Sequence, residues 1–149
     1  MKQIVIGILA VLALYGCNGN AQQINNKKMS KLIYVMDPLC GWCYGNSANT
    51  QHLYDTYKNQ IDFEILPAGM WIGENARKQS KPMAQYIKKH DLQIQQVTGT
   101  AFGQDYFKFV ENESIVLDSE IPSRAIVTVK KIWATQAVSF AIEVQKARY

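Results

Sequence analysis

The sequence predicts an α/β fold, built from one strand–helix–strand unit followed by a helical region. Three observations predict it: two short runs of β-forming residues, a polar segment with helical spacing between them, and helical periodicity in the second half of the chain. Of the 149 residues, 48% are apolar and 19% are charged, which is typical of a globular chain and argues against disorder. This length is enough for one domain with a real core.

The N-terminus has the pattern of an export signal. After a positive start, residues 4–14 form an apolar run that is too short to span a bilayer and matches the core of a signal peptide. Residues 14–17 then resemble the lipobox of bacterial lipoproteins, in which the thiol of Cys17 would take a diacylglyceryl group. Tyr15 departs from the small residue usual at its place, and ordinary secretory cleavage after Ala21 is the alternative. In both cases we expect the mature protein in the bacterial cell envelope, either lipid-anchored in the membrane or periplasmic.

Composition divides the chain into four parts. Residues 1–17 are the signal peptide and lipobox, and residues 18–30, rich in Asn, Gln, Lys and Gly, are a flexible tether. Residues 31–69 hold the strand–helix–strand unit, and residues 70–149 hold the helical region. The formal net charge of +4 is spread along the chain, and the densest basic cluster is typical of a solvated helix end. We therefore expect no nucleic-acid partner.

The strand–helix–strand unit is predicted from three neighbouring segments. Residues 32–36 are a continuous run of β-formers, which indicates a buried strand that ends at Asp37 and Pro38. The segment after Cys43 predicts a helix that ends near residues 58–59, and residues 61–66 alternate as a second strand. Such a unit implies a parallel sheet with a right-handed crossover.

Helices are predicted for the rest of the chain. We expect a short helix over residues 82–89, a second turn or helix over residues 93–98 and a short helix over residues 102–110. A longer helix is expected to begin near residues 118–120, with apolar positions on one face that continue to residue 145.

Two of the three cysteines, Cys40 and Cys43, lie at the predicted turn between the first strand and its helix. At the N-terminal end of a helix, free N–H groups stabilise a thiolate and lower its pKa. The loop that the pair would close is too small to act as a structural staple. The placement therefore predicts a redox-active pair, with Cys40 as the attacking thiol and Cys43 as the resolving thiol.

Two other uses of this pair stay open. A structural zinc site would need two more ligands, and the two histidines, His52 and His90, are far apart in the sequence. A purely structural or accidental pair is the other alternative. Gly41 and Trp42, between the sulfurs, offer neither a cation nor an imidazole, so we expect the helix terminus to be the main stabiliser of the Cys40 thiolate and Cys40 to be less acidic than in the strongest oxidants. We expect no cofactor and no metal.

The active-site segment resembles the DsbA-like family of the thioredoxin superfamily. The resemblance is to the branch in which Asp-Pro precedes a Cys-x-Trp-Cys pair, and it continues through residues 68–71, 73–77, 98–103 and 121–125. It implies a thioredoxin-like fold in which residues 70–149 are a helical insertion domain. It also implies a thiol–disulfide oxidoreductase that acts on protein or peptide thiols and disulfides together with an unidentified redox partner. The residues that flank the redox pair are Asp37, Pro38, Gly41 and Trp42.

The chain also departs from this family. Family members continue past the helical insertion into a β-hairpin and a final helix, and a cis-proline there packs against the disulfide. None of Pro38, Pro67, Pro82 and Pro122 follows such an insertion. We therefore expect a chain that is incomplete at its C-terminus, by truncation or as a naturally shortened variant, with an unpaired sheet edge and half of the sheet's apolar face exposed. A glutathione-linked or isomerase-type enzyme of small molecules and a non-catalytic envelope lipoprotein are the alternative functions.

Several further residues have two interpretations each. Trp42 and Tyr44 form either an aromatic lip for unfolded peptide or packing around the disulfide. Trp71 lies either in a cleft or in the core. Asp37 is either a proton relay to Cys43 or a turn residue. Glu64 is either a buried proton acceptor that faces the core or, as we expect, an outward-facing residue.

Overall fold

The computed structural model describes residues 30–149. Two parallel strands, β1 (Lys31–Met36) and β2 (Asp62–Pro67), enclose two helices, α1 (Gly41–Gly45) and α2 (Ser47–Tyr57). The predicted strand–helix–strand unit is therefore confirmed. The predicted single helix is wrong in one detail, because it breaks at Asn46. The N–H of Asn46 donates to Trp42 O and its side chain bonds to Thr50 of the next helix.

The second half of the chain is mainly helical. It also contains a small antiparallel sheet that the sequence did not predict, in which β3 (Arg77–Lys78) pairs with β4 (Val116–Leu117). Two 3-10 turns lie at Gly73–Asn75 and Ala134–Gln136. The helices are α3 (Lys81–Thr98), α4 (Gln104–Val110), α5 (Glu120–Ile132) and α6 (Ala137–Arg148).

Two predicted helix boundaries need correction. The separate helices expected over residues 82–89 and 93–98 are one continuous helix, α3, because the residues between them include neither Gly nor Pro. The Ser80 side chain caps its start, and Gly99, with a φ of 74°, ends it. The long C-terminal helix is instead two helices, because the backbone leaves the helical region at Trp133.

Helix α6 contributes to two of the three hydrophobic clusters of the described chain, and the residue after it contributes to the third. Against the sheet, its Ala137 and Ala141 pack with residues of both strands and α5. On another side, Val138 and Ile142 pack with Tyr54 of α2. After its last turn, Tyr149 joins the aromatic cluster that α3 and α4 form. This helix therefore links the sheet, the helix after the cysteines and the α3–α4 pair.

The opposite face of the two-stranded sheet is uncovered in the described chain. Ile33 and Val35 of β1 are 52% and 55% exposed, and Leu66 of β2 is 43% exposed. Their neighbours along the strands point the other way, into the cluster against α5 and α6. Among residues 30–149, no helix is both long enough and apolar enough to cross a membrane.

Candidate active site

The two cysteines meet at the start of α1. Cys40 is the N-cap residue of this helix, and its Sγ accepts a hydrogen bond from the Cys43 backbone N–H at 3.4 Å. The Cys40 N–H donates to Asp37 O at 3.0 Å, which fixes the turn between β1 and the helix. Both thiols are free and half-buried. The structure thus brings the predicted pair together at the predicted helix start.

The pKa values of the two thiols move in opposite directions. A hydrogen bond from the Cys43 thiol is the largest cause that lowers the pKa of Cys40, and the N–H groups of Cys43 and Trp42 add to it. Burial and the charge of Asp37 oppose this effect, and the resulting pKa is about 6. The same contact and burial raise the pKa of Cys43. The Cys43 thiol is thus a stabiliser of the Cys40 thiolate that the sequence analysis did not consider, and it acts together with the helix terminus.

The Asp37 carboxylate anchors the active-site loop. Asp37 is 4% exposed, and its oxygens accept hydrogen bonds from Leu39 N at 2.8 Å, Met70 N at 2.6 Å and Ser119 Oγ at 2.9 Å. The contact with Leu39 is the local one expected of a turn residue. The other two join the loop to the segment after β2 and to the start of α5. Pro38, which follows, is also fully buried.

A cavity of about 420 Å³ opens beside Cys40. Gly41 and Trp42 line it, and Trp42 is 47% exposed. Trp71 lines the cavity as the cleft interpretation predicts, and the Arg77 guanidinium lies 4.2 Å from the centre of its ring. The cavity therefore has an aromatic wall and a cationic group next to the more acidic thiol.

Tyr44 does not line this cavity. Its ring stacks on Tyr149 with 4.6 Å between centroids and meets Phe102 edge to face at 5.2 Å. Its hydroxyl donates to Ala101 O at 3.1 Å. These contacts fit the interpretation of Tyr44 as a packing residue, whereas the exposed Trp42 is free to contact a substrate.

The structure adds residues to the site that the sequence analysis did not select. Asp91, Tyr106, Arg148 and Tyr149 all line the same cavity as Cys40, although they are 51 or more residues away in the chain. One signal could have found Asp91. It lies at helical spacing from apolar residues that face inward, such as Ile94. This spacing predicts that its carboxyl is buried.

The remaining candidates lie apart from the sulfurs, with one exception. His52 is exposed on α2, whereas His90 is half-buried and lines the cavity. Glu64 faces outward, as expected, and pairs with Lys31 and with Lys130. Within the described residues, no group of three or more His, Cys, Asp or Glu side chains could hold a metal ion. The predicted lipidation site, Cys17, lies outside the described residues.

Solved structures with a similar fold include a known disulfide reductase. The cytosolic disulfide reductase DsbM from Pseudomonas aeruginosa is 32% identical over 80% of this chain, with a TM-score of 0.66. The structure of that protein with GSH matches at 30% identity with the same TM-score. These similarities are consistent with a DsbA-like protein of the thioredoxin superfamily. No family model and no curated protein matches it.

A third solved structure is similar to this chain in fold only. It is a protein from Nitrosomonas europaea provisionally described as a protein disulfide isomerase, with 24% identity over 82% of this chain and a TM-score of 0.71. The chain spans 54–56% of the length of these three matched structures, so it corresponds to about half of each. The matches cover 80–82% of this chain.

Proposed function

We propose that the protein exchanges disulfides with protein or peptide substrates, with Cys40 as the attacking thiol and Cys43 as the resolving thiol. The observation that carries this proposal is the position of Cys40 at the N-cap of α1, where its Sγ accepts a hydrogen bond from the Cys43 N–H at 3.4 Å and its pKa is lowered to about 6. At neutral pH such a thiol is mostly a thiolate, which is the nucleophilic form. The similarity to a disulfide reductase supports the same chemistry.

The exchange proceeds in two balanced steps. The Cys40 thiolate attacks one sulfur of a substrate disulfide, a new S–S bond forms, and the other substrate sulfur leaves as a thiolate that takes up a proton. Cys43 then loses its proton and attacks Cys40 Sγ, which releases the second substrate sulfur as a thiol. The substrate is reduced by two electrons and the pair is oxidised. A redox partner of the thiol–disulfide class resets the pair, and the reverse sequence oxidises a substrate.

The opposite pKa directions order these steps. While Cys40 is a thiolate, the hydrogen bond to it raises the pKa of Cys43 and keeps Cys43 protonated. Once Cys40 is in a mixed disulfide, its negative charge is gone and this cause disappears. Cys43 then ionises more readily and becomes the nucleophile of the second step.

The test compares insulin reduction and oxidative refolding by the full chain with those by Cys40→Ser and Cys43→Ser. We expect Cys40→Ser to abolish turnover and Cys43→Ser to accumulate a mixed disulfide that mass spectrometry detects, because the resolving step is missing. Cys17→Ser is the matched control and is expected to keep full activity. A folded wild-type protein without thiol-dependent turnover would contradict the proposal and support a non-catalytic lipoprotein.

A second candidate function is exchange with a small anionic thiol such as glutathione. The cavity beside Cys40 favours it, because Arg77, His90 and Arg148 line this cavity and would suit carboxylates. The reductase DsbM has been solved with GSH. Turnover of small disulfides together with inactivity on insulin would favour this candidate over protein substrates.

We further propose that the protein is exported to the bacterial cell envelope and anchored through lipid on Cys17. The support is the N-terminal sequence, with its apolar run and lipobox-like end. The similar reductase of Pseudomonas aeruginosa is described as cytosolic. The proposal therefore assigns this chain to a different compartment from that protein.

A further inference from the structure

The buried carboxyl group of Asp91 has no part in the exchange mechanism described above. Asp91 lies in the middle of α3 and is 4% exposed. Its Oδ2 accepts a hydrogen bond from the Tyr106 hydroxyl of α4 at 2.7 Å, in a buried position. Asp91 and Tyr106 line the same cavity as Cys40. An acid and the reactive thiol thus line the same cavity.

The glycine between the cysteines lets this carboxyl approach the active-site loop. A Cβ atom on Gly41 would overlap Asp91 Oδ1 and would lie 3.0 Å from Ile94 Cδ1. The carboxyl oxygen therefore lies against the backbone of the residue that directly follows Cys40. Since any larger side chain at position 41 would displace it, the Cys-Gly-Trp-Cys sequence and the position of Asp91 are matched.

The charged and titratable groups around Asp91 come from every element packed against it. Tyr106 belongs to α4, and His90 precedes Asp91 on α3. Arg148 is the last residue of α6, Tyr149 follows it, and Cys40 is the N-cap of α1. Burial is the largest influence and raises the pKa of Asp91, while the Tyr106 hydrogen bond and the charges of Arg148 and His90 oppose it. Asp91 therefore keeps its proton to a higher pH than an exposed aspartate does.

We propose that Asp91 donates the proton to the substrate sulfur that leaves when Cys40 attacks, an inference that rests on the proposed exchange function. The bond from Cys40 Sγ to the substrate forms as the substrate S–S bond breaks, and the leaving sulfur takes the proton from the Asp91 carboxyl. The products are a mixed disulfide, a free thiol and a carboxylate. The Tyr106 hydroxyl stabilises this carboxylate, which regains a proton from solvent in the cavity.

This role has a specific dependence on pH and on the leaving group. The rate requires Cys40 to be deprotonated and Asp91 to be protonated, so it rises and then falls with pH. A strongly basic leaving thiolate needs the proton, whereas a weakly basic one departs without it. The dependence on Asp91 is therefore expected with alkyl disulfides and not with aromatic disulfides that release a stabilised thiolate.

The experiment uses the full chain with Asp91→Asn and two small disulfides. Bis(2-hydroxyethyl) disulfide releases a basic alkyl thiolate, and 5,5′-dithiobis(2-nitrobenzoic acid) releases a weakly basic aromatic one. We expect Asp91→Asn to slow the reaction with the alkyl disulfide roughly 10-fold or more, when the rate is expressed per Cys40 thiolate. The pH–rate profile of this variant is expected to lack the falling limb at higher pH. The aromatic reaction keeps its rate. Asp105→Asn, an exposed neighbour on α4, is the matched control and leaves both reactions unchanged.

Each outcome decides between the two proposals. Equal slowing with both reagents would show a structural role and overturn the assignment of Asp91. A wild-type protein whose Cys40 reacts with neither reagent would overturn the exchange function itself. If Asp91→Asn does not fold, Tyr106→Phe takes its place, because losing the hydroxyl disturbs the same carboxyl. We then expect Tyr106→Phe to slow only the reaction with the alkyl disulfide, by less than the factor expected for Asp91→Asn. Equal slowing with both reagents would overturn the proposal.

Discussion

At the scale of single residues, the two sulfurs are made unequal by their contact with each other. The Cys43 thiol donates toward Cys40, and this interaction lowers the pKa of one sulfur while it raises that of the other. The residues between them contribute through backbone N–H groups and through the absence of a side chain at Gly41, not through charge. A chain with no imidazole or cation between its cysteines still obtains an acidic thiol.

Replacing Cys43 by alanine is expected to raise the pKa of Cys40. The largest contact that lowers this pKa is lost, while burial and the charge of Asp37, which raise it, remain. Thiolate absorbance at 240 nm, titrated in proteins that also carry Cys17→Ser, measures this change. The parent step is expected near pH 6, and that of Cys43→Ala at higher pH. Cys40→Ser identifies the step by losing it, and an unchanged midpoint in Cys43→Ala would contradict the assignment.

At the scale of elements, α5 and α6 hold the sheet that carries the active-site loop. Ile126 of α5 is completely buried and packs in the cluster that contains Met36 and Ile65 of the two strands. Met36 directly precedes Asp37, so packing in this cluster fixes the point at which the chain enters the site. The position of the cysteines therefore depends on a helix far from them in sequence.

Ile126→Ala is expected to destabilise the protein by about 2–5 kcal/mol, because it leaves a cavity in this cluster. Ile121→Ala, on the same helix, is the matched control. Ile121 is 78% exposed, so we expect a change within about 0.5 kcal/mol. Urea denaturation measures the free energy of unfolding of both variants. Similar losses in the two variants would show that the cluster does not support the fold as described.

The sequence predicts the individual strands of this fold better than the boundaries of its helices and its tertiary contacts. Residues 32–36 and 61–66 predict strands because they are short β-forming runs between turn residues, and the Cys-x-x-Cys spacing predicts the thiol pair. The continuity of α3 is missed, since the chain between its two predicted parts is polar rather than helix-breaking. Asp91 is missed as a site residue because its partners, Tyr106 and Gly41, reach it only through tertiary packing.

At the scale of the whole molecule, the described chain is a thioredoxin-like unit closed on one side by helices. Helix α6 joins the sheet, α2 and the aromatic cluster, and Tyr149, which follows it, lines the cavity beside Cys40. The cavity walls come from residues across the chain, from Leu39 to Tyr149. The candidate site is therefore a product of the assembled fold and not of the cysteine loop alone.

The proposed export of the whole protein makes a prediction about its location. In a bacterial host, we expect the wild type in the membrane fraction with incorporated radiolabelled palmitate, because Cys17 would carry the lipid. Cys17→Ser is expected to lose the label and to leave the membrane fraction. Cys40→Ser is the matched control, since it also removes one thiol and should keep the label. Unlabelled wild-type protein in the periplasm would favour ordinary secretory cleavage, and wild-type protein in the cytosol would overturn export.

The hydrogen bonds of Asp37 make the acidity of Cys40 an optical reporter of tertiary structure. One carboxylate holds backbone and side-chain donors from three separate stretches of chain, at Leu39, Met70 and Ser119. When these stretches separate on unfolding, the loop loses its shape and the Cys40 thiol returns toward a pKa of about 9. At pH 7.5 the ultraviolet absorbance of the sulfur anion therefore disappears together with the fold, so denaturation of the reduced protein can be followed without any added dye.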